Sequence, residues 1–184
     1  MRVLVCLLVW MTCITRVCAY PALVISVHDG DTIRVRRQNS QIERIRVASI
    51  DAPELKQPLG LAARSLTEQL TLGRIVQISA KGHDRYGRVV ANVTAPHGVN
   101  VSCELVRRGL AWWYQDFDPH NVLIANLQTR ARKKRVGIWA GRNQVAPWEY
   151  RRAITSESSL PAYRRRSGNQ IGASLKTVQY NSAL

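Results

Sequence analysis
A chain of 184 residues with 46% apolar residues has material for one ordinary domain with extensions, and for a buried core. Its formal net charge of +15 is spread along the chain and interleaved with aromatics, which points to a polyanion partner. Only Cys103 lies beyond residue 18, so the chain that remains after residue 19 has neither an internal disulfide nor a thiolate metal cluster.

Residues 1–19 run from a short basic start, Met1-Arg2, through an almost wholly apolar stretch to Val17-Cys18-Ala19. This is the three-part pattern of a secretory signal with cleavage after Ala19, so the protein is expected to be exported, periplasmic or secreted. The apolar run is shorter than the roughly 20 residues that span a bilayer, so no membrane anchor is expected to remain. Ala22–Val27 reads as a first strand. Asp29-Gly30 turns the chain into a second, Thr32–Arg37, where Ile33 and Val35 alternate with arginines. Ile42–Ile50 is a third, joined to the second by the polar turn Gln38-Asn39-Ser40. The period then changes. Ala62, Leu66 and Leu70 recur four apart, and Gly73 follows, which predicts a helix over Leu61–Leu72. Arg74–Ala80 and Val89–Val93 are predicted strands.

A second helix is expected over Asn100–Gly109. A third begins at Asp118 as N-cap with Pro119 behind it, carries Leu123, Leu127 and Ala131 on one face, and ends among Arg130, Arg132, Lys133, Lys134 and Arg135. Cations at a helix C-terminus suit its dipole and equally suit a polyanion. The elements add up to an α+β, mainly β architecture: a five-stranded barrel of the oligonucleotide-binding (OB) type with three packed helices. From Arg142 the pattern fails. Residues 142–184, with seven Lys/Arg against two Glu, read as a basic, flexible tail.

The chemistry lies between Val27 and Glu54. If the second and third strands pair as a hairpin, Asp31 and the Asp51-Ala52-Pro53-Glu54 segment meet beside Arg46. Carboxylate oxygens suit a hard divalent cation, and Glu54 can bind or deprotonate a water. Arginine donates two hydrogen bonds to one phosphate at any working pH. Asp84-Arg85-Tyr86-Gly87-Arg88 places Tyr86 and Arg88 at the mouth of the next strand. Each signal alone is weak: Asp-Gly is a common hairpin turn, and Trp112-Trp113-Tyr114 is more often barrel cover than a base-stacking platform.

In order along the chain they are specific. Val27-x-Asp29-Gly30-Asp31-Thr32, Arg46-x4-Asp51-x-Pro53-Glu54, Asp84-x-Tyr86-Gly87-Arg88, Leu105-Val106-Arg107-x-Gly109-Leu110-Ala111 and Gly137-Ile138-Trp139 together resemble the micrococcal (staphylococcal) nuclease family over Ala22–Gly141. The basic, exported, tailed chain is similar to the plasmid-encoded ParB type of member. The resemblance implies calcium-dependent hydrolysis of DNA and RNA with little sequence preference by a monomer. It implies a calcium ion on Asp31, Asp51 and the Ala52 carbonyl, Glu54 as the group acting on the attacking water, and Arg46 and Arg88 on the phosphate. Arg85, Tyr86 and Tyr114 would contact the substrate. Ala52 stands where threonine is usual, a change that a carbonyl ligand survives. Tyr114 and Gln115 both fall near the place of the family's substrate-contacting tyrosine. The alternative is a barrel that holds nucleic acid without turnover; the three carboxylates and both arginines favour the enzyme.

Overall fold
Strands in this chain alternate branched apolar residues with charged ones, and the apolar set closes on itself. The computed structural model describes residues 19–142 and 144–158; residues 1–18 of the expected signal and 159–184 of the expected tail lie outside the described residues. Tyr20–Val27 (β1), Thr32–Arg37 (β2) and Ile42–Val47 (β3) form an antiparallel meander. Ile50–Asp51 (β4) is a short continuation after a break. Gly60–Thr71 (α1) precedes Ile75–His83 (β5) and Val89–Ala95 (β6), which pair with each other, and β5 also pairs with β1. Parallel pairing of β3 with β6 closes the five-stranded barrel in the order β3-β2-β1-β5-β6. Its interior is filled by Val24, Ile33, Val35, Ile45, Val47, Val76, Ile78, Ala91 and Val93, each at most 1% exposed.

Val99–Asn100 (β7) pairs with the end of β6 and leads into Val101–Arg107 (α2), whose Asn100 cap accepts from the Cys103 backbone N–H at 2.9 Å. Trp112–Trp113 (β8) pairs with β4, and Val122–Lys133 (α3) packs against α2. A single 3-10 turn, Gly137–Ala140, follows. The expected fold class is the observed one.

Four local readings differ. The third strand breaks at Ser49, which has φ of 69°, and the break turns Ile50–Asp51 away to meet β8. In α1 the buried face carries Ala63, Leu66, Thr67 and Thr71, and Ala62 is exposed, because Thr67 Oγ1 is drawn in to donate to the Gly30 carbonyl at 2.6 Å. The cap of α3 is Asn121, which accepts from Ile124 N at 3.1 Å; Ile124 is buried in place of Leu123. Asp118 is occupied elsewhere, accepting from Ser49, Lys81 and Asn121. Finally, within the expected tail, Pro147–Ser158 is a fourth helix (α4). It starts from buried Ala146, and Trp148 packs on the cluster of Trp112, Ile138 and Trp139.

Candidate active site
The turn before β2 fixes Asp31. Its backbone N–H donates to Asp29 Oδ1 at 3.0 Å, and its carbonyl accepts from Val47 N at 2.8 Å, locking it to the end of β3. Asp51 sits on β4 directly opposite Trp112 of β8, and is 2% exposed. The two carboxylates therefore arrive from opposite ends of the hairpin. Ala52 N–H donates to Asp31 Oδ2 at 2.7 Å, which holds the Ala52 backbone at the same spot.

Arg46, on β3 with a side chain 12% exposed, bridges the pair. Its Nη1 lies 3.1 Å from Asp31 Oδ2, and its Nη2 lies 2.8 Å from Asp51 Oδ1. Parallel pairing sets Arg46 opposite Val90, so the start of β6 lies beside it. There Arg88 Nη1 donates to Thr32 Oγ1 at 3.2 Å, and Thr32 Oγ1 donates to Asp31 Oδ1 at 3.2 Å. Arg88 also holds Asp84 through Nε at 2.7 Å across the Gly87 turn. Burial raises the Asp84 carboxyl, but backbone and side-chain hydrogen bonds from Arg88 outweigh it and the group ends below its usual range. Tyr86 is exposed, with the Arg85 guanidinium 4.9 Å from its ring centre and its hydroxyl accepting from Arg85 Nη2 at 2.7 Å.

Glu54 follows β4 on a loop pinned by Gln57, whose Oε1 accepts from Glu54 N at 2.9 Å and whose N–H donates to Glu54 O at 2.8 Å. Gly60 lies hard against the Glu54 carbonyl, leaving no room there for a side chain. The Glu54 carboxylate joins the other two through a residue the sequence reading did not single out. Arg151 of α4 places Nη1 2.7 Å from Glu54 Oε1 and Nη2 2.8 Å from Asp51 Oδ2. Burial alone would lower the Arg151 pKa, but hydrogen bonds to Asp51 and Glu54 drive it up. Tyr114 has a partner on the same helix. Its ring stacks on Trp148 at 5.3 Å with 4° between planes. No motif could have flagged Arg151 or Trp148; both look like ordinary residues of a polar tail.

Burial and the charge of Asp31 raise the Asp51 carboxyl, against the opposing hydrogen bonds and charges of Arg151 and Arg46. Asp29 is pushed up to about 6 by burial and by Asp31. Three carboxylates, Asp31, Asp51 and Glu54, share the two guanidinium groups of Arg46 and Arg151. The donors of this cluster are all oxygens, which fits a hard divalent cation. Among the described residues no three His, Cys, Asp or Glu side chains form a ready cage, so carbonyl and water oxygens would have to complete any shell.

Two depressions lie elsewhere. One of about 560 Å³ is lined by Arg132, Arg135, Trp139, Arg142 and Gln144, with no acidic side chain. The other, about 410 Å³, reaches from Trp113, Tyr114 and Trp148 and shares Arg132, Trp139 and Gln144 with the first. Neither is lined by Asp31, Asp51 or Glu54.

An OB-type barrel with a buried carboxylate pair bridged by arginine brings together oxygen ligands for a hard cation and a donor suited to phosphate. Residues 44–141 match the family model of the staphylococcal nuclease homologues. An uncharacterised endonuclease of Escherichia coli is 40% identical over 128 residues, covering 70% of this chain and 82% of that protein. A micrococcal nuclease of Shigella flexneri is 37% identical over 139 residues (71% and 79%), and the protein ParB of Escherichia coli 36% over 141 residues (70% and 77%). The chain belongs to the staphylococcal nuclease family.

Proposed function
We propose that the protein is an exported, calcium-dependent nuclease that hydrolyses phosphodiester bonds of DNA and RNA with little sequence preference, acting as a monomer. Membership of the family makes phosphodiester hydrolysis the reaction class. The observation that supports the finer reading is the convergence of Asp31 and Asp51 on Arg46, with Glu54 tied to Asp51 through Arg151 and Arg88 linked to Asp31 through Thr32.

Asp31, Asp51 and the Ala52 carbonyl would hold the metal, which when bound neutralises charge on the phosphate and favours ionisation of water. Glu54, with a side chain 36% exposed, orients a water and accepts its proton. Arg46 and Arg88 donate to the phosphate oxygens where negative charge grows, and their mutual placement across the β3–β6 pair is set before substrate arrives. Arg85 and Tyr86 lie at the rim, positioned for a neighbouring phosphate. The acid-free groove of Arg132, Arg135 and Arg142 supports contact with the polyanion beyond the reacting bond. Export rests on the signal pattern of residues 1–19; recovery of the protein only from the cytoplasm, with Met1 intact, would refute it.

The test uses the chain without residues 1–19 on closed-circular plasmid and on single-stranded DNA, with calcium, with magnesium and with chelator, beside Glu54→Gln. Cleavage that needs both metal and Glu54 is expected. A gel shift with intact DNA under every metal condition would establish a binding module instead.

A further inference from the structure
Helix α4 lies beyond the residues that match the family model, yet it reaches the centre of the candidate site at two points. Arg151 lays its planar fork across Asp51 and Glu54, with a third, longer contact of 3.4 Å from Nη1 to Asp51 Oδ1. Trp148 covers the face of Tyr114, the side chain expected to meet substrate. A guanidinium on the carboxylates and an indole on the tyrosine reproduce, within one helical turn, a cation and a flat aromatic ring. Those are the two things a nucleotide and its metal would bring.

The start of the helix is held by a hydrogen bond and by burial. Gln57 Nε2 donates to the Val145 carbonyl at 3.1 Å, and Ala146 is 5% exposed. From Arg151 to Ser156 the residues are exposed. Arg151 is itself 45% exposed at the side chain, so water and salt reach the guanidinium and weaken its ion pairs, while Asp51 beneath it is 3% exposed.

We infer that α4 is a resident occupant of the active site: Arg151 stands in for the divalent cation and Trp148 for a nucleobase, and metal and substrate bind by displacing them. The proposal rests on the nuclease reading above. Asp51 cannot give the same oxygens to Arg151 and to a metal, so the two compete for it. By linkage, whatever Arg151 takes from metal affinity, metal takes from the docking of α4.

The experiment is calorimetric titration of calcium into the chain without residues 1–19, into Arg151→Ala and Arg151→Lys, and into Asp51→Asn as the non-binding control. Circular dichroism and thermal melting confirm that each is folded. Arg151→Ala should bind calcium at least ~5-fold more tightly than the parent, the lower end of usual couplings, with Arg151→Lys between them. In the parent, hydrogen exchange at the α4 amides should rise when calcium is added. Equal or weaker calcium binding by Arg151→Ala, or unchanged exchange in α4, overturns the cation half. A separate arm titrates a short single-stranded oligonucleotide into the parent and into Trp148→Ala; weaker binding by Trp148→Ala overturns the base half, and tighter binding supports it. If neither the parent nor Arg151→Ala binds calcium, the metal reading of the site falls together with the cation half, and the oligonucleotide arm alone judges the helix.

Discussion
Gly109 and Gly137 press their backbones together where the end of α2 meets the turn that leads on to α4. Both have left-handed backbone, with φ of 64° and 58°, and Ile138 N donates to the Gly109 carbonyl at 2.9 Å. A Cβ on Gly137 would collide with the carbonyl oxygens of Gly109 and Arg108 and lie 2.7 Å from the Gly109 carbonyl carbon. Those atoms are backbone and cannot rotate aside. Gly137→Ala therefore incurs about 1–2 kcal/mol for a left-handed non-glycine residue and about 1–3 kcal/mol more for the overlap. Gly73→Ala separates the two contributions, because φ is 71° there but nothing lies within 4 Å of the added carbon. It should cost only the first, about 1–2 kcal/mol. In urea unfolding followed by tryptophan fluorescence, with a slope of about 2 kcal/mol/M, the Gly137→Ala midpoint should fall by about 1–2.5 M and the Gly73→Ala midpoint by about 0.5–1 M. Indistinguishable midpoints would refute the argument from close approach.

Glu54→Gln should lower kcat by about 10²–10⁴ while melting like the parent, and near-normal turnover would remove Glu54 from the mechanism. Arg46→Ala and Arg88→Ala should each cost about 10²–10³ in kcat and much less in substrate affinity; equal losses in binding and in kcat/KM would make them binders only. The Ser49 hydroxyl, followed by Asn121 and Lys81, holds the Asp118 carboxyl below its usual range against the opposing effect of burial. A depressed native value means that this group adds stability above its unfolded pKa of about 3.9, and that the contribution is lost as pH falls through the native value. Asp118→Asn should therefore flatten the decline of the urea midpoint between about pH 5 and 3; an identical acid slope would refute it. Deleting residues 159–184 removes Arg164, Arg165, Arg166 and Lys176, and should flatten the plot of log affinity for DNA against log salt by up to about 3. An unchanged slope would show that these cations do not touch nucleic acid.

Short-range pattern carried most of the barrel. β2 could be bounded at Thr32–Arg37 because alternation along a half-buried strand is a property of neighbouring residues. The meeting of Asp31 with Asp51 was legible for the same reason: a hairpin brings its own ends together, and β2 and β3 pair from Thr32–Arg46 outward. Helix faces were less legible. Ala62 and Leu123 fit the apolar spacing as well as Ala63 and Ile124 do, and only the packing of Thr67 against Gly30 and the Asn121 cap set the rotation.

The largest difference is α4. Its composition is that of a solvated tail, and its helical state depends on burying Ala146 and Trp148 against aromatic residues from two distant segments. Arg151 lies 100 residues from Asp51 and 97 from Glu54. No local rule links such positions, because their attraction exists only once β4, the Glu54 loop and the Gly137–Ala140 turn have been folded to one side of the barrel. The sequence by itself determined the strands of the barrel, the carboxylate pair and the bridging arginine, because alternation along a strand and the β2–β3 hairpin are local. Tertiary structure alone decided what lies across them, because long-range burial and charge put Arg151 and Trp148 there.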